Sequence, residues 1–260
     1  MKYGSTTLPD ISSMPKLIFF DLDGTLAESK QPLTDEMAAL VTRLLAATKV
    51  AVISGGALPQ FLKQVIERLP ADAHLTNLYL LPTSGAALYE RVQDAWSKVY
   101  EERLSETEVY AIKAAILSGA AETGLIDFNK PAHGERIEYR GSQVTLSALG
   151  QQAPYALKKV WDADHMKRRT LQAAIAVRLP EFSVSMGGLT SIDVTKRDID
   201  KAYGVRKLCE RLRINEADAL YVGDELIAGG NDEAVFKTNI QTRAVSNPED
   251  TMKIISSLVP

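Results

Sequence analysis

Continuous apolar runs alternate with helical patterns towards both ends of the chain. The apolar runs are KLIFF (16–20), KVAVI (49–53), LYLL (78–81) and ALYVG (219–223). Such runs are typical of parallel strands that are covered by helices on both faces. The other predicted elements are helices at about 34–47, 59–68, 200–212 and from 248, with a short strand at about 239–244. The alternation predicts an α/β core built on a parallel sheet.

The pattern changes between about residues 88 and 190, where apolar and polar residues tend to alternate. Two alternating segments, RIEYR (136–140) and QVTLSAL (143–149), are separated by Gly141-Ser142. This arrangement predicts antiparallel strands with one face in water. Helices are predicted at about 105–118 and 162–178. The expected organisation is a core of residues 1–87 and 191–260, with a smaller α+β domain of residues 88–190 inserted in it.

Composition and charge narrow the possible partners and compartment. The 260 residues are 45% hydrophobic and 24% charged, with a net charge of -3. Nucleic acids and anionic membranes favour basic surfaces, so neither is expected as a partner. The single cysteine, Cys209, excludes an intrachain disulfide and suits a reducing compartment. Neither a membrane-spanning run nor a signal peptide is apparent, so we expect a soluble cytoplasmic protein, either a monomer or a homodimer.

Two aspartates follow directly after the first apolar run, in the segment LIFFDLDGTLAES (17–29). In open α/β sheets, ligands bind outside the carboxyl ends of the strands, where Asp21 and Asp23 would lie. Neighbouring carboxylates repel each other unless a cation compensates them, and one or two carboxylates suit Mg²⁺. One carboxylate could then attack a phosphate while the other transfers protons. The alternative is an ordinary surface turn of the type Asp-x-Asp-Gly.

Three later segments also place polar or charged residues directly after a predicted strand or at the start of a predicted helix. Ser54 follows the second run, where its hydroxyl and the amides of Gly55-Gly56 could hold a phosphate oxygen, although a plain turn would also explain it. Lys201 begins a predicted helix, where its charge opposes the helix dipole, although a solvated lysine is the ordinary explanation. Asp224 ends the fourth run and GGND (229–232) follows, although an acidic turn is equally common. Taken together and in this order, these residues predict a phosphate and metal site.

These motifs resemble those of the haloacid dehalogenase superfamily, and the resemblance covers nearly the whole chain. The segments that carry it are DLDGT, ISG, DKAYGV and GDELIAGGND. The resemblance implies a Rossmann-like core with an inserted type IIB cap, and phosphoryl transfer through an aspartyl-phosphate. It implies that Asp21 is the nucleophile, that Asp23 is the general acid and base, and that Ser54 and Lys201 hold the phosphoryl group. The implied Mg²⁺ ligands are Asp21, the backbone carbonyl of Asp23, Asp224 and, in an outer position, Asp232.

Within that superfamily the chain is most similar to the eukaryotic-type phosphomannomutases. The likeness lies in IEYR (137–140), FSVSMGGLTSIDV (182–194) and GDELIAGGNDEAVF (223–236). It implies that Arg140 binds the distal phosphate and that Ser191 and Asp193 contact sugar hydroxyls. Guanidinium groups bind phosphates through paired hydrogen bonds, and carboxylates accept hydroxyl protons. Without the resemblance, Arg140 would be taken for a solvated strand residue.

Three positions depart from the mutase pattern. Lys30 and Lys158 stand where the mutases have arginine, and Gln151 replaces a further arginine. Lysine cannot reproduce the planar fork of arginine, and a mutase must hold a bisphosphate in two orientations. The sequence therefore favours a Mg²⁺-dependent phosphatase that acts on a sugar phosphate or a similar small phosphorylated metabolite. A phosphohexomutase that converts mannose 6-phosphate to mannose 1-phosphate is the alternative, and a non-catalytic binding protein is a third possibility.

Overall fold

The computed structural model describes residues 14–259, which form two sheets with their helices. The strands are β1 (Leu17–Phe20), β2 (Lys49–Ile53), β3 (Leu78–Leu81), β4 (Ala87–Val92), β5 (Ala95–Glu101), β6 (Ile137–Tyr139), β7 (Val144–Ser147), β8 (Phe182–Met186), β9 (Ser191–Lys196), β10 (Ala219–Gly223) and β11 (Gln241–Ala244). The α-helices are α1 (Asp35–Ala47), α2 (Leu58–Gln64), α3 (Glu106–Thr123), α4 (Tyr155–Trp161), α5 (Met166–Ala176), α6 (Lys201–Leu212) and α7 (Pro248–Leu258). Among these residues, no helix has the length and apolar character needed to cross a membrane.

The larger sheet has seven strands in the order β11-β10-β1-β2-β3-β4-β5. The first five strands in this order are parallel, and β4 and β5 continue the sheet as an antiparallel hairpin. All four side chains of β1 are fully buried, because α1 and α7 pack on one face of the sheet and α6 packs on the other. This confirms the predicted α/β core, and burial on both faces explains why its strands are continuously apolar.

The smaller sheet is antiparallel, with the order β6-β7-β9-β8. Helices α3 and α5 pack together and against this sheet around a second apolar centre that includes Ile116, Leu146, Ile175 and Val194. The Ser105 hydroxyl caps α3 by accepting a hydrogen bond from the Glu108 amide, and the Glu108 carboxylate accepts one from the Ser105 amide. We call this unit, from α3 to β9, the cap.

The arrangement of strands in the two sheets differs from both predicted domain boundaries. Strands β4 and β5 were expected in the inserted domain, but they extend the larger sheet. Strand β9 was expected to begin the second part of the core, but it is an inner strand of the cap sheet. An alternating pattern indicates that a strand has two different faces, and it does not specify which sheet the strand joins. The helix predicted at 162–178 begins later than expected, at Met166, because His165, which precedes α5, has a left-handed φ of 63°.

The polar face predicted for 143–149 is not in water. Gln143, Thr145 and Ser147 alternate with apolar residues, as expected for a strand, but each is at most 1% exposed. Gln143 and Thr145 donate hydrogen bonds to polar groups beside the cleft between cap and core. The alternation therefore marks a buried polar face above the cleft rather than a solvated surface.

Strand β1 lies at the centre of the larger sheet and positions the site. Leu17 is aligned with Ala219 of β10 on one side and with Lys49 of β2 on the other. The three strands are parallel, so their carboxyl ends meet at one edge of the sheet. The residues that directly follow β1, β2 and β10 at this edge are Asp21, Ser54 and Asp224.

Candidate active site

Asp21, Lys201 and Asp232 form a buried chain of ion pairs at this edge. Lys201 is the first residue of α6, and its Nζ lies 2.5 Å from Asp21 Oδ1 and 2.6 Å from Asp232 Oδ1. None of the three side chains is more than 3% exposed. Ionised groups lose a large hydration energy on burial, so this arrangement depends on the mutual compensation of their charges.

Burial raises the pKa of Asp21 well above its usual value, and the charge of Lys201 opposes this shift. The carboxylates of Asp232 and Asp224 add to the rise. The second oxygen of Asp21, Oδ2, is buried without a hydrogen-bond partner among residues 14–259. Asp21 also lines the cleft, so its carboxylate has one oxygen paired with lysine and another that is available for a ligand.

Asp224 contacts the turn that follows β1. Thr25 Oγ1 donates a hydrogen bond to Asp224 Oδ1 at 3.0 Å. Gly24 in this turn has a φ of 96°, and a Cβ at this position would lie 2.3 Å from Asp224 Oδ2. Glycine is therefore required both by the backbone conformation and by the approach of the carboxylate. Burial and the neighbouring Asp232 charge raise the pKa of Asp224 to about 6.

The residues at this edge fit a divalent cation of the Mg²⁺ type. The part of the chain that is described has no group of three or more His, Cys, Asp or Glu side chains arranged to hold a metal. The predicted ligands are instead two carboxylates, Asp21 and Asp224, and the backbone carbonyl of Asp23. The unpaired Oδ2 of Asp21 and the raised pKa of Asp224 are both features that a bound cation would compensate. Mg²⁺ commonly binds one or two carboxylates and retains several waters.

Both carboxylate oxygens of Asp232 are already hydrogen-bonded. Its Oδ1 accepts hydrogen bonds from Lys201 Nζ and the Tyr221 hydroxyl, and its Oδ2 accepts one from the Glu225 amide at 3.2 Å. The side chain is fully buried. These contacts agree with an outer position in which Asp232 fixes the lysine.

Asp23 faces α2 rather than Lys201. The Lys30 amide donates to Asp23 Oδ1 at 2.7 Å, and Gln60 Nε2 donates to Oδ2 at 2.9 Å. Gln64 Nε2 makes a longer contact with Oδ1, at 3.4 Å. Neither glutamine was predicted, because their spacing of four residues on one helix face is common in surface helices. Together these donors orient the carboxyl group of Asp23.

The loop after β2 connects the site to the cap. Ser54 is 5% exposed and lines the cleft beside Asp21. The carbonyl of Gly55 accepts hydrogen bonds from Arg140 Nη1 at 2.6 Å and from Gln143 Nε2 at 3.0 Å. Both donors belong to the cap. The cap therefore restrains the loop that carries Ser54 through these two hydrogen bonds.

Arg140 lines the cleft, but its guanidinium is already engaged. Its Nε and Nη2 donate to Glu138 Oε2 at 2.9 and 2.6 Å, and Nη2 also lies 3.2 Å from Gln151 Oε1. Glu138 was not predicted as a site residue. An arginine with these partners has fewer N–H groups available for a distal phosphate than one that faces the cleft alone.

Besides Lys201 and Lys237, three cations line the same cleft, whose volume is about 690 Å³. They are Lys30, Arg140 and Lys158, and Lys158 also donates to the carbonyl of Gln151 at 3.0 Å. Partial burial lowers the pKa of Lys158, and the charges of Lys30 and Arg140 lower it further. A second anionic group on a ligand would relieve this concentration of positive charge. A cavity of this size suits a small metabolite.

Asp193 and Ser191 lie on the cap side of the cleft. Asp193 Oδ1 accepts a hydrogen bond from Thr145 Oγ1 at 2.8 Å, as expected for partners that are aligned on neighbouring strands. Burial raises the pKa of Asp193, and the Arg140 charge opposes this shift. Asp193 Oδ2 lies where a Cβ at Gly187 would approach it to 2.6 Å, so only a glycine fits beside this carboxylate.

The family model for haloacid dehalogenase-like hydrolases matches residues 18–259. The chain belongs to this family. The prediction of the superfamily from DLDGT and the later motifs is thereby confirmed. Members of this haloacid dehalogenase-like family carry out phosphoryl transfer, which accords with the buried carboxylate and lysine described above.

This haloacid dehalogenase-like protein is also similar to phosphomannomutases, as expected from its sequence. It is 25% identical over 250 residues to the phosphomannomutase of Spinacia oleracea, which covers 94% of this chain and 96% of that protein. Its identity to the phosphomannomutase of Saccharomyces cerevisiae is 25% over 248 residues, which covers 93% of both chains.

Solved structures support the haloacid dehalogenase-like fold. The IMP-bound, N-terminally truncated IMP-nucleotidase of Plasmodium falciparum superposes with a TM-score of 0.69 at 17% identity, covering 94% of this chain and 68% of that one. SMU.1108c of Streptococcus mutans gives 0.57 at 16% identity, covering 94% and 98%. At these identities the similarity concerns the fold alone.

The structure places ten of the twelve predicted site residues on the wall of one cleft. They are Asp21, Asp23, Lys30, Ser54, Gly55, Arg140, Lys158, Ser191, Asp193 and Lys201. The other two, Asp224 and Asp232, are not among the residues that line the cleft, and they accept hydrogen bonds from Thr25 and Lys201 respectively. Their roles remain predictions, but the sequence motifs do converge in space.

Proposed function

We propose that this protein is a Mg²⁺-dependent phosphatase that hydrolyses a sugar phosphate or a similar small phosphorylated metabolite. The observation that carries the proposal is the buried contact between Asp21 and Lys201 at the carboxyl edge of the parallel sheet. Asp21 has a free carboxylate oxygen and lines a cleft that is rich in positive charge. These features suit a carboxylate that attacks phosphorus.

In the first step, an Asp21 oxygen attacks the phosphorus atom and the bond from phosphorus to the sugar oxygen breaks. Asp23 donates a proton to this leaving oxygen, and the donors from α2 and Lys30 hold its carboxyl group in place. The Ser54 hydroxyl and Lys201 bind the phosphoryl oxygens. The product of this step is an aspartyl-phosphate on Asp21 and a free sugar.

In the second step, water attacks the aspartyl-phosphate and Asp23 accepts a proton from it. The bond from phosphorus to Asp21 breaks, which releases inorganic phosphate and restores both carboxyl groups. Mg²⁺, bound by Asp21, Asp224 and the Asp23 carbonyl, would supply positive charge that offsets the charge of the phosphoryl group. The cap covers the cleft and selects the substrate.

The metal requirement gives a direct test of Asp224. We expect Asp224→Asn to raise the Mg²⁺ concentration needed for half-maximal activity by about 10–100-fold, because it weakens one of two carboxylate ligands. The measurement is phosphate release during a Mg²⁺ titration. Asp218→Asn is the matched control, because Asp218 lies at the opposite end of β10 and pairs with Lys16 on the surface. An unchanged titration curve for Asp224→Asn would exclude it as a ligand.

A phosphohexomutase is the second candidate, and the whole-length similarity to phosphomannomutases favours it. In this reaction the aspartyl-phosphate returns its phosphoryl group to the sugar instead of to water. The cleft has Gln151, Lys30 and Lys158 where the mutase pattern has arginine, and Arg140 is bound to Glu138, so we expect weak retention of a bisphosphate. A bisphosphate that leaves before it reorients gives net hydrolysis.

One assay separates the two candidates. A panel of phosphorylated sugars is tested for phosphate release with and without Mg²⁺, alongside conversion of mannose 1-phosphate in the presence of hexose 1,6-bisphosphate. The phosphatase predicts Mg²⁺-dependent phosphate release that is faster than isomerisation. Efficient isomerisation with little phosphate release would establish the mutase instead.

Restoring the missing arginines should change the balance between these reactions. We expect the double variant Gln151→Arg/Lys158→Arg to raise the ratio of isomerisation to hydrolysis by about tenfold, because each guanidinium adds charge-assisted hydrogen bonds of about 1.5–3 kcal/mol to a distal phosphate. Both rates are measured on the same preparation. Lys159→Arg, one residue from Lys158 on α4, is the control. An unchanged ratio would show that distal binding does not limit isomerisation.

A further inference from the structure

A buried ion pair lies in the cap and belongs to none of the groups described so far. Arg168 Nε is 2.7 Å from Asp162 Oδ2, and the side chains are 4% and 0% exposed. Neither residue lines the cleft. Burying such a pair seldom gains stability over an apolar pair of the same size, so the contacts of the two side chains indicate what the pair does.

Asp162 is occupied by the start of α5. Its Oδ1 accepts a hydrogen bond from the Lys167 amide at 2.7 Å, and its Oδ2 accepts one from the Arg168 amide at 3.2 Å. Backbone amides in the first turn of a helix lack partners within the helix, so the carboxylate satisfies two of them. Asp162 therefore anchors both α5 and the guanidinium of Arg168.

The free end of the Arg168 guanidinium holds the turn between β8 and β9. Its Nη1 donates to the carbonyl of Gly188 at 2.8 Å and lies 3.3 Å from that of Gly187. The same turn is closed by hydrogen bonds from the Gly187 amide to the Ser191 carbonyl and from the Ser191 amide to the Gly188 carbonyl. Arg168 thus connects α5 to the glycine turn between β8 and β9.

This turn forms part of the cleft wall. Gly187, Gly188, Ser191 and Asp193 all line the cleft. Gly187 packs so closely on Asp193 that a Cβ would lie 2.6 Å from the carboxylate oxygen. A displacement of the turn would therefore shift Ser191 and Asp193, the residues that we expect to face the non-reacting part of the substrate.

We propose that Arg168 is a positioning residue for the sugar portion of the substrate, acting through the carbonyls of Gly187 and Gly188. The inference rests on the proposed function, since it concerns the same cleft. Arg168 has no contact with Asp21 or Lys201, so the phosphoryl chemistry does not depend on it. Its effect is confined to substrates that reach the cap.

The test compares two phosphoryl donors, mannose 6-phosphate and acetyl phosphate, of which the second has no sugar. Arg168→Lys keeps the charge but cannot bind Asp162 and the glycine carbonyls together. We expect kcat/KM for mannose 6-phosphate to fall by about 10–100-fold, mainly through KM, because small displacements of binding groups are costly. The value for acetyl phosphate stays within about twofold of the unmodified protein.

Two further variants distinguish positioning from folding. Arg178→Lys is the matched control, because Arg178 also pairs with a carboxylate in the cap, Glu122, but does not line the cleft. Asp162→Asn/Arg168→Gln leaves no unpaired buried charge and provides a second test if Arg168→Lys is poorly folded by circular dichroism. The same selective loss is expected for this pair.

The possible results distinguish a failure of the positioning role from a failure of the proposed function. Equal losses for both donors, or no loss for either, would overturn the positioning role while the proposed function stands. If the unmodified protein released phosphate from neither donor, the proposed function would fail and the inference with it.

Discussion

Asp21→Asn is expected to abolish phosphate release, with a loss of at least about 10³-fold, while the protein remains folded. The amide cannot attack phosphorus, so no aspartyl-phosphate forms. The fold should persist, because Lys201 keeps its contact with Asp232 and the buried site loses a carboxylate whose pKa is already raised by burial. The measurements are phosphate release, thermal unfolding, and intact mass after acid quenching.

The mass measurement makes the test specific to Asp21. The unmodified protein should gain the mass of one phosphoryl group during turnover, and Asp21→Asn should not. Asp72→Asn, at an exposed position away from the cleft, serves as the control and should behave as the unmodified protein. Retained activity in Asp21→Asn would end the proposal of an aspartyl-phosphate on this residue.

Lys201→Met should impair both stability and catalysis. The substitution leaves the carboxylates of Asp21 and Asp232 buried without their cation, which costs about 3–5 kcal/mol of unfolding free energy in comparable buried pairs. Activity should fall by about 10²-fold or more, because the phosphoryl group loses a charged partner. Urea unfolding in metal-free buffer and phosphate release at saturating Mg²⁺ measure the two effects.

Two further variants distinguish the loss of the Lys201 charge from a simple loss of packing. Lys207→Met is on the same helix, α6, but at an exposed position, and should change neither property. Adding Asp232→Asn to Lys201→Met removes one of the two facing carboxylates and should recover part of the stability. A Lys201→Met protein within about 1 kcal/mol of the unmodified one would contradict this expectation and show that the ion pairs of Lys201 contribute little to stability.

The sequence was informative where charged residues directly followed predicted strands or began a predicted helix. Asp21 and Asp224 follow apolar strands that had to be parallel, so the edge of the sheet where they meet could be predicted. Lys201 was conspicuous because its charge opposes the dipole of the helix that it begins. For such residues the local pattern and the sheet topology together imply proximity.

Other contacts could not be predicted, because their signals are common. Gln60 and Gln64 orient Asp23, but two glutamines one turn apart occur on many surface helices. The polar face of Gln143 and Thr145 has the same alternation as a solvated strand. Its burial depends on how the cap closes over the core, which involves contacts between distant segments. Strand β4 was placed in the wrong domain for the same reason, because the sheet that a strand joins is determined by tertiary contacts.

The position of β1 between β2 and β10 also has a consequence for synthesis of the protein on the ribosome. The alignment of Leu17 with Ala219 means that the central strand lacks one neighbour until almost the whole chain has emerged. At about 5–20 residues per second, the cap is complete several seconds before β10 can pair. Nascent chains therefore carry Asp21 before Lys201, Asp224 and Asp232 have emerged, so the proposed site is completed only when β10 and the loop after it are in place.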